Sequence, residues 1–202
     1  GKFDVELNQS VLPRVLINRT YAAEVSAIAG RDRQAKKFLN ERLSDAGFLI
    51  KALNQRAETI LKVATEIVER QRDFFDKGAA GLKPMILRDV AESVELHEST
   101  VSRVTQQKYI ATPMGTFELK YFFSQGVGAD GDYSGQAVKS KIKALIDKEK
   151  PDNVLSDEAL AVLLGREGIN IARRTVAKYR ESIGIPTSAR RKRDKRLILT
   201  RK

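Results

Sequence analysis

An unbroken apolar seam through residues 39–67 constrains this chain more than any other feature. Leu, Ile and Ala recur there at alternating intervals of four and three residues, the spacing that aligns side chains along one stripe of an α-helix. The surrounding residues 31–77 contain no proline and a single glycine, Gly47, and one internal glycine costs a helix only about 1 kcal/mol. The pattern therefore predicts one long helix of roughly 65 Å that bridges modules, although two shorter helices broken near Gly47 also satisfy it.

Glycine and proline divide the rest of the chain. Gly78, Gly81 and Pro84 end the seam, and a compact helical unit is expected over residues 78–123. Residues 124–136 contain four glycines in thirteen residues, which predicts a flexible linker. The expected fold class is all-α and extended, with a long bridging helix and two helix-turn-helix domains. Its expected segments are 1–30 (short elements), 31–77 (long helix), 78–123, 124–136 (linker) and 137–202.

The net charge of +11 is concentrated at one end. Residues 172–202 carry twelve basic and two acidic side chains, whereas the other 171 residues carry 25 basic and 24 acidic ones. Such an excess indicates that a polyanion binds near the C-terminus.

Several function classes are disfavoured by what the sequence lacks. It has no cysteine and one histidine, so thiol chemistry, disulfides and multi-histidine metal sites are not expected. We expect no cofactor and no metal. The acidic pair Asp130 and Asp132 falls in the glycine-rich segment, where it suggests no preorganised metal site. No apolar run is long enough for a membrane span. We therefore expect a cytoplasmic, nucleoid-associated protein that is not an enzyme.

The first helix-turn-helix candidate lies in residues 87–104. On a helical wheel, Val101 and Val104 lie on one face and short polar side chains on the other, while Ala91 and Leu96 suit the helix crossing and the turn. The polar face would contact DNA phosphates and base edges, although a three-helix bundle with a solvated face explains the same pattern. His97 is expected to cap or pack rather than catalyse. The candidate DNA-binding residues are Glu98, Ser99, Ser102, Arg103 and Gln106.

The second candidate is the basic helix after Gly168. Its apolar face contains Val176 and Tyr179, and Ala177 lies within the basic arc, which would let the helix axis approach a groove floor. Arg can bind guanine O6 and N7 in a bidentate contact, whereas Thr175 and Arg180, at the margins of the arc, suit phosphates. A charged, solvated helix face is the alternative.

The basic tail is expected to be disordered in isolation and to add phosphate affinity that falls with salt. Its candidate contacts are Arg190, Arg191, Lys192 and Arg193.

Two stretches resemble one protein family. ARRTVAKYRE, residues 172–181, looks like the RpoN box of the sigma-54 family of bacterial RNA polymerase sigma factors, without a gap. HESTVSRVT, KY, TP and FELKYFF stand in the order of that family's central helix-turn-helix region. RVLINRTY and QRAETILKVATEIVERQRDFF are similar to the end of its core-binding region and the long helix that follows.

The resemblance implies a promoter-recognition subunit that binds double-stranded promoter DNA and directs core RNA polymerase to activator-dependent promoters. The RpoN-box helix would enter the major groove of a minus-24 element containing GG, and the central unit would lie at a minus-12 element containing GC. Residues 1–30 would end the core-binding domain. The family's N-terminal activator-responsive region has no counterpart before Gly1, so no response to the ATPase activator is expected. The implied DNA-binding residues are Ala172, Arg173, Arg174, Thr175, Ala177, Lys178, Arg180 and Glu181.

A different class stays open beside this one. The seam also suits an adaptor that assembles on RNA polymerase through its long helix, with only non-specific affinity for DNA at its basic end. A sequence-specific footprint would separate the two hypotheses.

Overall fold

The computed structural model describes residues 3–30, 32–128 and 131–200, and the side chains only as far as residue 197. Asp130 and the tail residues Arg201 and Lys202 lie outside this description. The described chain is mostly helical and divides into two units, residues 1–65 and 66–202.

The first unit combines extended chain with helix. Helix α1 spans Arg19–Ala29 and begins at Asn18, whose side chain accepts a hydrogen bond from the Tyr21 N–H at 3.0 Å. No residue of α1 is buried. The seam positions from Leu39 to Ile60 are half-buried.

Helix α2 spans Arg33–Arg70 and passes through Gly47 without a break. It stops short of the predicted end at residue 77, and a separate helix α3 follows at Arg72–Lys77. Between them lies the fully buried Gln71, whose amide accepts from the Lys83 N–H and donates to the Lys83 carbonyl, both at 3.0 Å. The backbone leaves the helical path at Gln71 (φ −102°, ψ 25°), the residue whose amide contacts another segment of the chain, and helical periodicity does not reveal such a contact.

The central part of the second unit is built on aromatic side chains. The 3-10 turn Gly78–Gly81 precedes α4, Leu87–Ser93, and α5, Glu98–Thr105. We call α4 and α5 the central pair. Strands β1, Tyr109–Thr112, and β2, Gly115–Glu118, then form an antiparallel hairpin that continues into the 3-10 turn Leu119–Phe122. The ring of Phe74 lies edge-on to Phe117 and to Phe122, with both centroid distances 5.1 Å, an arrangement favoured between aromatic rings.

The predicted all-α class is therefore corrected to a mostly helical one with two short antiparallel ladders. The helical path ends at Gln106, whose backbone is extended, and Gln107 then adopts a left-handed φ of 54° before the first ladder. The Gln107 N–H pairs with the Glu118 carboxylate at 3.0 Å.

The second ladder lies in the segment predicted to be a flexible linker. Strand β3, Gly126–Val127, pairs with β4, Tyr133–Ser134. A Cβ on Gly126 would lie 2.0 Å from the carbonyl oxygen of Gly131. Here glycine permits close backbone packing, which composition cannot distinguish from flexibility.

The C-terminal part begins with α6, Gly135–Asp147, capped by Ser134. Helices α7, Asp157–Arg166, and α8, Arg173–Ser182, form what we call the C-terminal pair. Helix α9, Ser188–Thr200, covers the described part of the tail, for which disorder is expected in isolation. Helices α6, α7 and α8 and the turn between α7 and α8 form an apolar core of Val138, Ile142, Ile146, Leu160, Leu164, Ile169 and Val176.

Candidate nucleic-acid interface

The turn of the C-terminal pair sets the angle at which α8 leaves α7. Gly168 adopts a left-handed φ of 85°, and the next residue, Ile169, is fully buried. The Ile169 N–H returns to the Leu164 carbonyl at 2.9 Å. Glycine supplies the backbone reversal at no steric cost, and Ile169 anchors the turn in the core.

Helix α8 separates an apolar face from a charged one. Val176 is fully buried in the core beneath the helix, and Tyr179 packs against the same cluster. Thr175 and Ala177 are half-buried. The charged side chains that reach solvent are Arg173, Arg174, Lys178 and Glu181.

The N-terminus of α8 also faces outward. Ala172 is exposed, has an extended backbone, and accepts the Thr175 N–H with its carbonyl oxygen at 2.9 Å. No side chain caps this end. Together with the exposed cations, the first turn presents partial positive charge from the helix dipole.

Arg180 is located in the interior, contrary to the expectation that it contacts phosphate. Its side chain is only 2% exposed. Its Nε and Nη2 donate to the two carboxylate oxygens of Asp157 at 2.7 and 3.1 Å, and Nη1 donates to the Ile185 carbonyl at 2.7 Å. The hydrogen bond with Asp157 is the main cause that raises the pKa of Arg180 above its ordinary value. This guanidinium joins the first residue of α7 to the end of α8 and is not available to DNA.

Arg191 is likewise internal. Glu149, whose side chain is fully buried, accepts from Arg191 Nε at 2.9 Å and from Arg191 Nη2 at 3.2 Å. Lys195 Nζ lies 3.2 Å from the same carboxylate, and the Leu155 N–H donates to it at 3.1 Å. Burial acts to raise the pKa of Glu149, but the hydrogen bonds from Arg191, Leu155 and Lys195 outweigh it and hold the pKa below its ordinary value. These contacts fasten the first turns of α9 to Glu149, which follows α6.

The remaining tail candidates stay at the surface. Arg190, Lys192 and Arg193 are exposed. Arg190 lies 4.0 Å from Asp194 within the same helix, an exposed pair worth little. Of the four predicted phosphate contacts in the tail, the structure therefore leaves three accessible.

The central pair presents its predicted residues together. Val101 is fully buried beneath α5. His97 caps the helix, since its Nδ1 accepts from the Ser99 N–H at 3.2 Å, which confirms the capping role expected for it. The five candidates all lie exposed, four along α5 and the last directly after it: Glu98, Ser99, Ser102, Arg103 and Gln106.

Two lysines of α6 lie beside the C-terminal pair, although the sequence analysis did not include them among the candidate site residues. Lys139 Nζ lies 5.6 Å from the centroid of the Tyr179 ring, on α8. Lys141 Nζ lies 5.2 Å from the Tyr133 ring and 2.7 Å from the Glu167 carboxylate. Cation–π contacts hold both ammonium groups beside the C-terminal pair. The only sequence signal for them is the lysine-rich stretch KSKIK, which by itself reads as a solvated helix face.

Two features are absent from the described ranges. No group of three or more His, Cys, Asp or Glu side chains there is arranged to hold a metal ion. No helix of residues 3–30, 32–128 or 131–200 is long and apolar enough to cross a membrane.

These features define a class: a mostly helical protein that exposes a basic helix, braced from behind by buried arginine–carboxylate pairs. Residues 36–193 match the family model described as "Sigma-54, DNA binding domain". The chain is 52% identical over 202 residues to RNA polymerase sigma-54 factor 2 of Bradyrhizobium diazoefficiens, with 98% of this chain and 37% of that protein covered. It is 50% identical to the RNA polymerase sigma-54 factor of Acinetobacter guillouiae, with 93% and 39% covered.

A solved structure is similar as well. The crystal structure of Aquifex aeolicus sigmaN bound to promoter DNA superposes with a TM-score of 0.63 at 34% identity, over 94% of this chain and 56% of that one. The chain belongs to the sigma-54 family. It spans 37% and 39% of the two sigma-54 factors compared above.

Proposed function

We propose that this chain is the promoter-binding part of a sigma-54 transcription initiation factor, with α8 reading a minus-24 element that contains GG. The observation that carries the proposal is the division of α8 into a buried apolar face and an exposed basic one. Arg173 and Arg174 lie on its first turn, at the end that helix-turn-helix proteins direct at base edges. Either guanidinium has the fork geometry that matches guanine O6 and N7.

The rest of the exposed face has distinct roles. Lys178 lies one turn further along α8 and suits a phosphate or a second guanine, while Glu181 can accept from a cytosine amine. Ala177 would let the helix axis approach the groove floor, Thr175 at the margin of the arc suits a phosphate, and Ala172 lies exposed at the N-terminus of the helix. We do not include Arg180 among the DNA contacts because its guanidinium is hydrogen-bonded inside the protein.

The central pair would bind a minus-12 element containing GC. Ser99 and Ser102 suit phosphates, whereas Arg103 and Gln106 are long enough to reach base edges. Arg190, Lys192 and Arg193 of the tail would hold the duplex through its phosphates without regard to sequence. We expect this DNA binding to take place in the cytoplasm.

The whole protein would direct core RNA polymerase to activator-dependent promoters. Residues 3–65 favour a protein contact there, because Phe38, Phe48 and Leu49 of α2 are at least half exposed. Large aromatic side chains are enriched in protein interfaces. The same observation supports the alternative of an adaptor on RNA polymerase that has only non-specific affinity for DNA.

The test compares a duplex that carries GG and GC elements about one helical turn apart with a scrambled duplex, in titrations at two salt concentrations. Arg174→Ala should lower the preference for the intact GG element by about 1–3 kcal/mol. The matched control, Lys192→Ala, removes an exposed cation from α9 and should weaken both duplexes equally while reducing the salt slope.

Equal affinity for both duplexes at moderate salt would contradict promoter recognition. If core polymerase were then retained on the immobilised full-length factor, and lost on Phe48→Ala, the adaptor would be the better description. Loss of sequence preference in Lys192→Ala would mean that the tail, rather than α8, reads the bases.

A further inference from the structure

Helix α9 has a sequence that does not favour a helix by itself. Basic side chains recur at intervals of three and four residues, as in the pairs Arg190 with Arg193 and Lys192 with Arg196, and like charges at these spacings destabilise a helix. A helix of 13 residues is also marginal in water without tertiary contacts. The order of α9 therefore depends on its contacts with the rest of the chain.

Those contacts converge on one carboxylate. The side chain of Glu149 is fully buried, and Arg191 donates to both of its oxygens. Lys195 Nζ lies near the same carboxylate and donates to the Glu149 backbone carbonyl at 2.9 Å. Arg191 also donates to the carbonyls of Pro186 and Leu155, both at 2.7 Å. One buried acid thus pairs with two cations from successive turns of α9.

Other cations of α9 lie on its outer side. At about 100° per residue, Arg193 lies opposite the side formed by Arg191 and Lys195, with Arg190 and Lys192 on either side of it. All three are exposed, and we call Arg190, Lys192 and Arg193 the outer cations. Because the inner side of α9 is fastened to Glu149, the outer cations have fixed positions.

We propose that Glu149 positions the outer cations against the phosphates of the bound duplex, by keeping α9 folded and docked. Glu149 is a positioning residue: it is buried, so it acts through Arg191 and Lys195 and does not touch DNA itself. This inference rests on the proposed function, in which the outer cations hold the duplex. A docked helix meets the phosphates with its backbone already ordered, whereas a disordered tail loses conformational freedom when it binds.

Loss of this acid separates positioning from simple electrostatics, because the two predict opposite effects. Glu149→Gln makes the chain more positive and releases Arg191 and Lys195, so charge alone predicts tighter binding to DNA. Loss of positioning predicts weaker binding. We expect the variant, titrated as the full chain, to bind the element-bearing and the scrambled duplex each about fivefold more weakly than the parent, with the preference between them unchanged.

Two further variants control for charge and for the carboxylate. Glu158→Gln removes the same charge from an exposed position on α7, and it should bind both duplexes as tightly as the parent or slightly more tightly. Glu149→Asp keeps a carboxylate at the buried position and should recover most of the affinity that Glu149→Gln loses.

A spin label reports the docking of α9 without DNA. The chain has no cysteine, so a nitroxide on Leu197→Cys, at an exposed position of α9, attaches there alone. Its electron resonance spectrum should show restricted motion in the parent and in Glu158→Gln. In Glu149→Gln the same label should become freely mobile.

Lys195→Gln keeps the test decisive if Glu149→Gln does not fold. It leaves Glu149 paired with Arg191 and Leu155, so the chain should stay folded while α9 is held less firmly. The label should gain mobility, and both duplexes should bind about twofold more weakly. Lys192→Gln removes the same charge from the outer side and should leave the label restricted.

The outcomes separate the two proposals. Binding by Glu149→Gln as tight as that of Glu158→Gln would overturn the positioning role, and so would a freely mobile label in the parent. If only Lys195→Gln folds, an unchanged label spectrum or an unchanged affinity would overturn it. Equal binding of both duplexes by the parent would overturn promoter recognition instead, because the role of Glu149 is measured as a difference between variants on either duplex.

Discussion

The turns of the central and C-terminal pairs have the same hydrogen-bond pattern, but the contacts that hold the second helix differ between the two pairs. In the central pair, the Leu96 N–H returns to the Ala91 carbonyl at 2.9 Å, as that of Ile169 returns to Leu164 in the C-terminal pair. The preceding residue has a left-handed φ in both cases, 54° at Glu95 and 85° at Gly168.

Behind the turn the two pairs use different forces. The central pair is stabilised by apolar packing of Val90, Val101 and a cluster of aromatic rings around Phe74. The C-terminal pair adds two buried ionic networks to its apolar core, Arg180 with Asp157 and Glu149 with Arg191 and Lys195. Two arginines at the basic end of the chain are therefore buried, and the charge of a residue alone does not show whether its side chain packs inside the protein or stays exposed.

Glu149→Ala should cause the largest loss of stability among the substitutions that distinguish the two pairs. It leaves the nearly buried Arg191 without its carboxylate, and breaking a buried ion pair costs about 3–5 kcal/mol. We expect the free energy of unfolding, measured by urea denaturation, to fall by about 4 kcal/mol. Exposed Glu92→Ala in the central pair is the control and should change it by less than about 0.5 kcal/mol. A similar loss in both variants would remove the distinction between the pairs.

Arg180→Ala should cost slightly less, about 3 kcal/mol, since Asp157 is partly exposed and keeps some contact with water. Arg103→Ala on α5 is the matched control from the other pair and should leave stability unchanged while weakening DNA binding. Arg180→Ala should do the reverse at temperatures where it stays folded. If Arg180→Ala retained full stability but lost affinity for DNA, the guanidinium would be a DNA contact after all.

Lowering the pH should weaken the ionic contacts of Glu149 in the C-terminal part, whereas the aromatic cluster of the central part contains no carboxylate to protonate. The pKa of Glu149 is lowered in the folded chain, so its stabilisation is complete above its unfolded value of about 4.3 and is lost as pH falls through the folded value. The loss amounts to about 1.4 kcal/mol for each unit of lowering. Unfolding measured from pH 6 down to pH 3 should show this component in the parent, and Glu149→Gln should lack it. An unchanged slope in that variant would assign the acid sensitivity elsewhere.

Glu95→Gly should have the smallest effect on stability, and it should stabilise the protein rather than destabilise it. The left-handed backbone at Glu95 carries a steric cost for any residue with a Cβ, while Gly168 avoids it at the corresponding place. Relief of the steric cost contributes about 1–2 kcal/mol and the greater freedom of glycine in the unfolded chain removes about 0.4–1 kcal/mol, so we expect a small net gain. Thermal melts would detect it, and Gly168→Ala should be destabilising in the same assay. A loss of stability in Glu95→Gly would mean that the turn is not strained.

Much of the secondary structure was accessible from sequence. The seam predicted a long helix, and α2 continues through Gly47 for 38 residues. The residues expected to line α5 and the exposed arc of α8 lie at the surface, because helical periodicity separates buried from exposed faces without knowledge of the partner. The hairpin β1–β2 was missed, since a four-residue strand carries too few residues for a recognisable alternation.

Sequence alone determined that the charge excess lies in the last 31 residues and which side of each helix is polar, because both follow from the order of residues along the chain. Only the tertiary structure decided how that charge is used. Arg180 and Arg191 are chemically identical to Arg174, yet they meet Asp157 and Glu149, which lie 23 and 42 residues away. It also decided that a glycine-rich segment packs as a ladder, since the close approach of Gly126 to Gly131 depends on where the chain folds back. Contacts between residues distant in sequence determine burial. Burial in turn determines whether a charged side chain is exposed to solvent or paired inside the protein, and whether a glycine allows flexibility or close packing.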